Sequence, residues 1–503
     1  MGRVRHAAKN IAFGYIGNIA SMILGFILRS VFIMQLNETL LGVNGLYTGV
    51  LSILSLAELG IGTALNYSLY APVAEKDTEK IKSYMQLYKK AYYSIAVVVA
   101  VIGICISPFL RYIIKNPGSY SVKELTIYYY IFLFNTVSTY FVSYKYSLVN
   151  AEQKNYIQTN IATLTKLVTV ILQIVVLICT KNFLVYLLTA AGVELAQKIF
   201  VNQYLNYKYP YLKDKQVTKL KKEETDEVIN KTKALVFHKV GDVARLQTDS
   251  IIISSFVSVA LVGVVDNYNY VINSVAGFVN IIFNSVISSF GNLIATENKE
   301  KQFSLFKVYR FFACWIYGFS AIGFWILLSP LVELWLGRQW LLSGAIISCI
   351  LFDYYFKGDR IVLSNYKTAA GVFEQDKYLA LIQGAVNLVI SIVLVQKIGL
   401  VGVYIGTIVS GLIANITKPI IIYKACFDRS AWSYFADSCK YLLTLAVSGA
   451  AIYGLSRVIM PQVTIAGFAV MVVVITVVYN GIFLAVFGRC EEFRYLWKLV
   501  RRR

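Results

Sequence analysis

One stretch of this sequence recurs almost half a chain later, in fixed register. Tyr144-Lys145, Glu152-Gln153 and Tyr156 return as Tyr366-Lys367, Glu374-Gln375 and Tyr378. Ala74, Glu79-Lys80 and Tyr88-Lys89 return as Ala295, Glu300-Lys301 and Tyr309-Arg310, and Ser107-Pro108 as Ser329-Pro330. A unit repeated this way folds as two related halves. Both copies are strongly apolar, and that decides the solvent. Ile11–Leu28 and Gly467–Gly488 run without a single charge, meeting the roughly 18 residues a bilayer span requires. Of the 503 residues, 57% are hydrophobic and 15% charged, against about a quarter charged in soluble domains. In hydrocarbon each backbone N–H and C=O must be satisfied within its own segment, so such runs fold as helices.

The expected fold is therefore an all-α integral membrane protein. Apolar runs between charges and breaks mark about fourteen transmembrane helices. The first copy holds spans at 11–35, 40–70, 87–113, 124–149, 157–179 and 183–205, and the second at 233–256, 260–295, 305–332, 341–372, 377–396 and 400–425. Two more, 437–459 and 463–488, follow the repeat. This divides the chain into an N-lobe (1–205), an inter-lobe linker (206–232), a C-lobe (233–425), two C-terminal helices (426–488) and a basic tail (489–503). The architecture is two pseudo-symmetric six-helix lobes plus two helices. An even number of spans per copy inserts both copies the same way up, relating them by an axis along the membrane normal. That arrangement is a transporter plan, with a path between the lobes.

Positive charge orients the chain. With the N-terminus inside, the external segments hold only Arg111, Lys115, Lys123, Lys181, Arg338, Lys397 and Arg457 of the 48 Lys and Arg. Such an excess on one side is the positive-inside signal, and it puts both termini in the cytoplasm of a bacterial cell. The net charge of +21 follows from this bias and from attraction to anionic membrane lipids. It calls for no nucleic-acid partner. The seven cysteines lack any CxxC or metal spacing, the two histidines cannot make a metal site alone, and no phosphate loop of the Gly-x4-Gly-Lys-Ser/Thr kind occurs. No metal, no cofactor and no catalytic residue is expected. The tail, with Phe493, Tyr495 and Trp497 among basic residues, reads as an amphipathic surface anchor.

The informative residues are charges inside the spans, each costing about 2.5–3.5 kcal/mol at mid-membrane. Lys166, Glu194, Arg245 and Asp353 fall roughly 13–18 Å into their helices at about 1.5 Å per residue. Lys198, Asp249 and Lys357 lie deeper, while Arg29 and Arg360 fall near span ends, where snorkelling is an alternative. His238, Asp242, Arg245 and Asp249 share one helix face, as do Asp353, Lys357 and Arg360, and Glu194 and Lys198 are an i,i+4 pair. Uncharged stripes accompany them: Asn269, Asn273, Asn280 and Asn284, then Gln383 and Asn387. Two readings stand. The pairs neutralise one another and glue helices together, or they line a hydrated cavity whose cations hold a phosphate group.

Arg29-Ser-Val-Phe-Ile33, Leu41-Gly-Val-Asn-Gly-Leu-Tyr47 and Glu58-Leu-Gly-Ile-Gly62 resemble the opening of the polysaccharide flippases. These form a branch of the multidrug/oligosaccharidyl-lipid/polysaccharide (MOP) exporter superfamily. Thr248-Asp249-Ser-Ile-Ile-Ile-Ser254, Ala369-Ala-Gly-Val-Phe373, Asn387-Leu-Val-Ile-Ser391 and Gly402-Val-Tyr-Ile-Gly-Thr407 are similar too, so the resemblance runs along essentially the whole chain. It implies flipping of undecaprenyl-diphosphate-linked oligosaccharide repeat units to the outer leaflet, as in O-antigen or capsule synthesis. It also implies alternating access and work beside a polymerase and glycosyltransferases. In that frame Arg29, Lys166, Lys198, Arg245, Lys357 and Arg360 attract the diphosphate. Glu58, Glu194, Asp249 and Asp353 act as counter-ions or coupling acids. Alternatives are a cation-coupled multidrug exporter and a peptidoglycan-precursor flippase of the same superfamily. An enzyme is disfavoured, because the external loops are short and almost bare of charge.

Overall fold

The computed structural model describes residues 19–501 apart from residues 20, 56–60, 153, 215, 216, 219, 227, 230–246, 373 and 377. Among the described residues the regular elements are helices, with no strand. In chain order the first eight are α1 (Ser21–Gln35), α2 (Glu38–Leu54), α3 (Ile61–Glu75), α4 (Thr78–Ile113), α5 (Val122–Ala151), α6 (Tyr156–Thr180), α7 (Phe183–Lys208) and α8 (Thr248–Phe256). Then come α9 (Val259–Thr296), α10 (Lys299–Leu336), α11 (Gly344–Asp359), α12 (Ile361–Ala370) and α13 (Leu379–Ile398). The last are α14 (Leu400–Phe427), α15 (Trp432–Ile459), α16 (Ile465–Phe487) and α17 (Glu491–Arg501). Ten of the described helices are long and apolar enough to cross a membrane. The chain is a multi-pass, all-α membrane protein.

The expected spans outside those ten are instructive. Of the run 40–70, the described helices are α2 and α3, of 17 and 15 residues, with 56–60 outside the described residues, as is most of 233–256. Of 11–35, the described helix is Ser21–Gln35. The run 341–372 was expected as one helix and is two, α11 and α12, parted at Arg360 (φ −96°, ψ 0°). Close packing accompanies the break: a Cβ on Gly358 would overlap the ring of Tyr317.

The chain divides into two compact units, Met1–Gly263 and Val264–Arg503. In the first, α5 is the hub, packing against α2, α3, α4 and α7, while α6 lies mainly on α7. Only 17% of the apolar window of α6 is buried within the protein. A cap that the repeat preserves starts α4 and α10. Asp77 accepts from the Lys80 N–H at 3.0 Å, and Asn298 accepts from the Lys301 N–H at 3.0 Å, each satisfying an orphan donor of the first turn. Pro108 interrupts α4, because it has no N–H for the carbonyl of Ile104. The preceding Ser107 takes over that carbonyl, its Oγ donating at 2.8 Å, and also bonds the Tyr130 hydroxyl at 2.8 Å. The freed carbonyl is thus satisfied within the bilayer.

In the second unit α10 is the hub, touching α11, α12, α14, α15, α16 and α17. The two helices after the repeat close on it through Phe311, Ile322, Ile326, Ile452, Met471, Ile475 and Tyr479. The tail helix α17 is docked as well as amphipathic: Lys307 pairs with Glu492 at 3.2 Å, and Phe493 lies 6.0 Å from the Trp315 ring. Helices α13 and α14 form the tightest pair, because Gly402 and Gly406 let them meet backbone to backbone, with Cβ atoms there overlapping Leu394 and Ser391. A buried polar ladder runs down that seam. Gln383 Nε2 donates to the Ser410 carbonyl at 2.6 Å, Asn387 Nδ2 to Thr407 Oγ1 at 3.1 Å, and Ser391 Oγ to the Val403 carbonyl at 3.0 Å. The Gln383 and Asn387 stripe is therefore glue between helices.

Candidate functional site: a polar cavity in the first unit

Three of the charges singled out in the sequence meet in the first unit. A cavity of about 460 Å³ opens between α5, α6 and α7 and is lined by Lys166, Glu194 and Lys198. Helix α6 supplies Gln158, Thr165, Lys166, Thr169 and Gln173 from one face, at the three- and four-residue steps of a helix. Helix α5 adds Thr139, Ser143 and Tyr146, and α7 adds Gln197 beside its two charges. Hydroxyls and amides thus line a hollow inside helices whose other faces are apolar.

The two lysines differ in their bonding. Lys198 is buried, and its Nζ donates to the Asn135 carbonyl at 2.8 Å, Asn135 Oδ1 at 3.0 Å and Ser138 Oγ at 2.9 Å. Glu194 stands further off at 3.7 Å, with 40% of its side chain exposed. All three ammonium protons of Lys198 are therefore taken by α5, and the residue fixes α7 to α5 while keeping the cavity positive. Lys166 is exposed to the cavity, and among the described residues no carboxylate lies within ion-pair distance of it. The Thr169 hydroxyl, one turn further along α6, has no hydrogen-bond partner among the described groups. Gln197 Nε2 donates to the Tyr146 hydroxyl at 3.2 Å, and Gln173 Nε2 reaches the Tyr186 carbonyl at 3.4 Å. The hollow can take a hydroxyl-rich ligand bearing negative charge.

The other candidates lie elsewhere. Arg29 is half-buried on α1, whose Phe32 packs edge-on against Phe183 and Tyr186 of α7. Asp249 sits half-buried in the first turn of α8. Glu58 and Arg245 lie outside the described residues, as do His238 and Asp242. In the second unit Asp353 and Lys357 pair along α11 at 2.5 Å, and Arg360 is buried. Its Nη1 donates to the Gly411 carbonyl at 3.1 Å and to Asn415 Oδ1, bracing the α11–α12 break against α14. Asn280 of the long asparagine stripe accepts from the Tyr317 hydroxyl at 2.8 Å.

Sequence reasoning missed the most deeply buried charge cluster, also in the second unit. Arg310 and Asp359, both buried, meet at 3.0 Å. Arg310 also donates to the Tyr434 carbonyl at 3.0 Å and stacks 3.4 Å over the Tyr434 ring. Asp359 accepts from Tyr434 at 3.1 Å, Ser438 at 2.9 Å and Cys314 Sγ at 3.3 Å. This cluster joins α10, α11 and α15. Beside it an apolar groove of about 470 Å³ runs between α10, α11 and α15, lined by Trp325, Leu351, Phe352, Leu442 and Leu445.

The fold is shared with solved multi-helix membrane transporters. The chain is similar in fold to the structure "Lipid II flippase MurJ, inward closed conformation", with a TM-score of 0.69 at 13% identity, covering 95% of this chain and 99% of that one. It is similar also to an inward-facing multidrug resistance MATE family transporter of the MOP superfamily, with a TM-score of 0.60 at 16% identity over 80% of this chain and 94% of that chain. A mutant of the Vibrio cholerae MATE transporter VcmN gives 0.55 at 15% identity, over 86% of this chain and 100% of that one. At these identities the likeness establishes fold. No protein-family model and no curated protein matches the sequence.

Proposed function

We propose that the protein is a flippase that carries a diphosphate-linked oligosaccharide on a polyprenyl lipid from the cytoplasmic to the outer leaflet, by alternating access. It would serve cell-surface polysaccharide synthesis in the bacterial plasma membrane, with both termini cytoplasmic. Glycosyltransferases would supply its substrate and a polymerase would consume its product. Transport rather than catalysis is the work proposed.

The observation that carries this reading is Lys166. It lies about 15 Å into α6 at the helical rise, in a polar cavity and out of ion-pair reach of any described carboxylate. A cation at that depth is expensive to insert, and a phosphate arriving in the cavity offsets the expense. The polar lining suits sugar hydroxyls. Fold likeness to a lipid II flippase over 95% of this chain supports a lipid-linked substrate. A membrane potential negative inside favours export of an anion by about 2.3 kcal/mol per charge per 100 mV. Glu58 or Glu194 is the acid a coupled mechanism would use.

Fold likeness to MATE transporters supports the competing reading of a cation-coupled multidrug exporter. Two lysines against one glutamate make the cavity a poor host for cationic drugs. The peptidoglycan-precursor flippase shares the diphosphate chemistry and differs in the headgroup beyond it. The test is translocation in vesicles by the Lys166→Gln variant. A charge-assisted hydrogen bond of about 1.5–3 kcal/mol predicts transport of a lipid-linked oligosaccharide lowered by about ten- to a hundredfold, with insertion unchanged. Undiminished transport removes Lys166 from the substrate path.

A further inference from the structure

At two positions the repeat has kept a cation in both copies and the carboxylate that pairs with it in only one. In the second unit, Lys367 is buried and pairs with Asp376, and Arg310 pairs with Asp359. Their counterparts in the first unit are Lys145 and Lys89. At the offset that carries Tyr144-Lys145 onto Tyr366-Lys367, Asp376 falls on Lys154 and Asp359 on Val137. Both acids are gone from the first copy.

What stands there instead is a basic hollow. A cavity of about 890 Å³ is lined by Lys82, Lys89, Lys90, Lys145 and Lys213, with Asp214 the single carboxylate among its described lining residues. Asp214 is committed to Lys82 at 2.8 Å, and Lys82 also bonds Glu79 at 2.8 Å. The nearby Glu152 is committed to Lys154 at 2.7 Å and accepts from the Tyr209 hydroxyl at 2.6 Å. Among the described residues no carboxylate pairs with Lys89, Lys90, Lys145 or Lys213. Lys145 is 3% exposed. Its Nζ donates to Asn202 Oδ1 at 2.5 Å and Asn206 Oδ1 at 2.6 Å, so neutral amides hold the ammonium in place and leave its charge uncompensated. A buried cation without a counter-charge is costly, and three more around one hollow repel it further. The arrangement is poised for an anion with several acceptor oxygens.

We propose that this hollow, where α4 begins and α5 and α7 end, is a second anion site that takes a phosphate group between Lys89, Lys145 and Lys213. On the orientation set by the positive-inside bias it opens to the cytoplasm, where phosphate is offered by anionic lipid headgroups and by free phosphates. The site is separate from the Lys166 cavity, and its occupancy does not depend on what the protein transports.

The test uses the full chain in lipid nanodiscs. With phosphatidylcholine alone, pyrophosphate is titrated by calorimetry; with phosphatidylglycerol added, retained lipid is counted by native mass spectrometry. Lys89→Gln combined with Lys213→Gln alters two exposed side chains and leaves the buried Lys145 intact. If free phosphates are the source, the Kd for pyrophosphate rises about tenfold or more in the double variant, and Lys89→Arg with Lys213→Arg keeps it within about twofold. If lipid is the source, the double variant binds pyrophosphate as the native chain does and loses the phosphatidylglycerol that the native chain retains. Equal binding of both probes by native and double-variant protein overturns the proposal. In a Lys166→Gln background the double variant produces the same loss, so failure of the flippase reading and failure of this site are told apart.

Discussion

The Arg310–Asp359 pair makes the sharpest stability prediction, because its two ends are bonded unequally. Removing one partner of a buried ion pair costs about 3–5 kcal/mol, whereas replacing both with apolar groups is often close to neutral. Arg310→Met leaves the Asp359 carboxylate with three donors, from Tyr434, Ser438 and Cys314, which places its cost at the low end, about 3 kcal/mol. Asp359→Leu strands the guanidinium in a buried site with the Tyr434 carbonyl and Ser438. It also removes an acceptor from Cys314 and Ser438, so its cost lies at the high end, about 5 kcal/mol. Tyr434 stays satisfied by the Asp359 carbonyl at 3.2 Å. The double substitution strands no charge and leaves only Ser438 and Cys314 short of a partner, a loss of about 1–2 kcal/mol. Heating in detergent followed by size-exclusion chromatography gives the order: Asp359→Leu least stable, Arg310→Met next, the double variant closest to native. The coupling from the cycle is at least about 3 kcal/mol. A double variant that loses the sum of the two single losses refutes the reasoning.

Gly406→Leu drives a side chain into Ser391 across the α13–α14 seam, and overpacking of about 1–3 kcal/mol lowers the yield of monodisperse protein on the same chromatography. Ser107→Ala removes the hydroxyl that bonds the Ile104 carbonyl and Tyr130 and leaves that carbonyl only the backbone N–H of residue 107, costing about 1 kcal/mol; Ser107→Thr, which keeps the hydroxyl, recovers it in the same heating assay. Glu224 pairs with Lys80 at 3.0 Å, tying the linker to the start of α4. The Lys80 hydrogen bond holds the Glu224 carboxyl below its ordinary value of 4.5. A depressed carboxylate stabilises above its ordinary pKa and stops doing so as pH falls through its lowered one. The tie therefore persists through neutral and mildly acid pH and is released only below about 4.5. Limited proteolysis of segment 206–232 by an acid protease should rise there in the native chain and be constant with pH in Glu224→Gln.

The helical, membrane-spanning fold was legible because apolar runs admit little else, and the caps of α4 and α10 sit at matching positions of the repeat. The division of 341–372 was not legible, since nothing local in Gly358-Asp359-Arg360 announces a break made by packing on Tyr317 and α14. Lys166, Glu194 and Lys198 could be picked out as charges out of place. The stripe Gln158, Thr165, Thr169 and Gln173 that completes their cavity was equally present, but threonine sits in ordinary lipid-facing helices and carries little signal. Arg310 and Asp359 meet across two helices, a relation that spacing within one helix cannot reveal. The basic hollow around Lys145 becomes readable only when the repeat is compared for what it lost.

The central claim is that the protein carries an anionic, lipid-linked sugar, and one measurement addresses it directly. Purified protein is reconstituted in vesicles with a fluorescent diphosphate-linked polyprenyl oligosaccharide in one leaflet, in parallel with vesicles loaded with a cationic dye. The account predicts protein-dependent appearance of the sugar in the opposite leaflet, faster with a potential negative on the donor side, and no movement of the dye. Dye export with the lipid-linked sugar left where it was placed contradicts it.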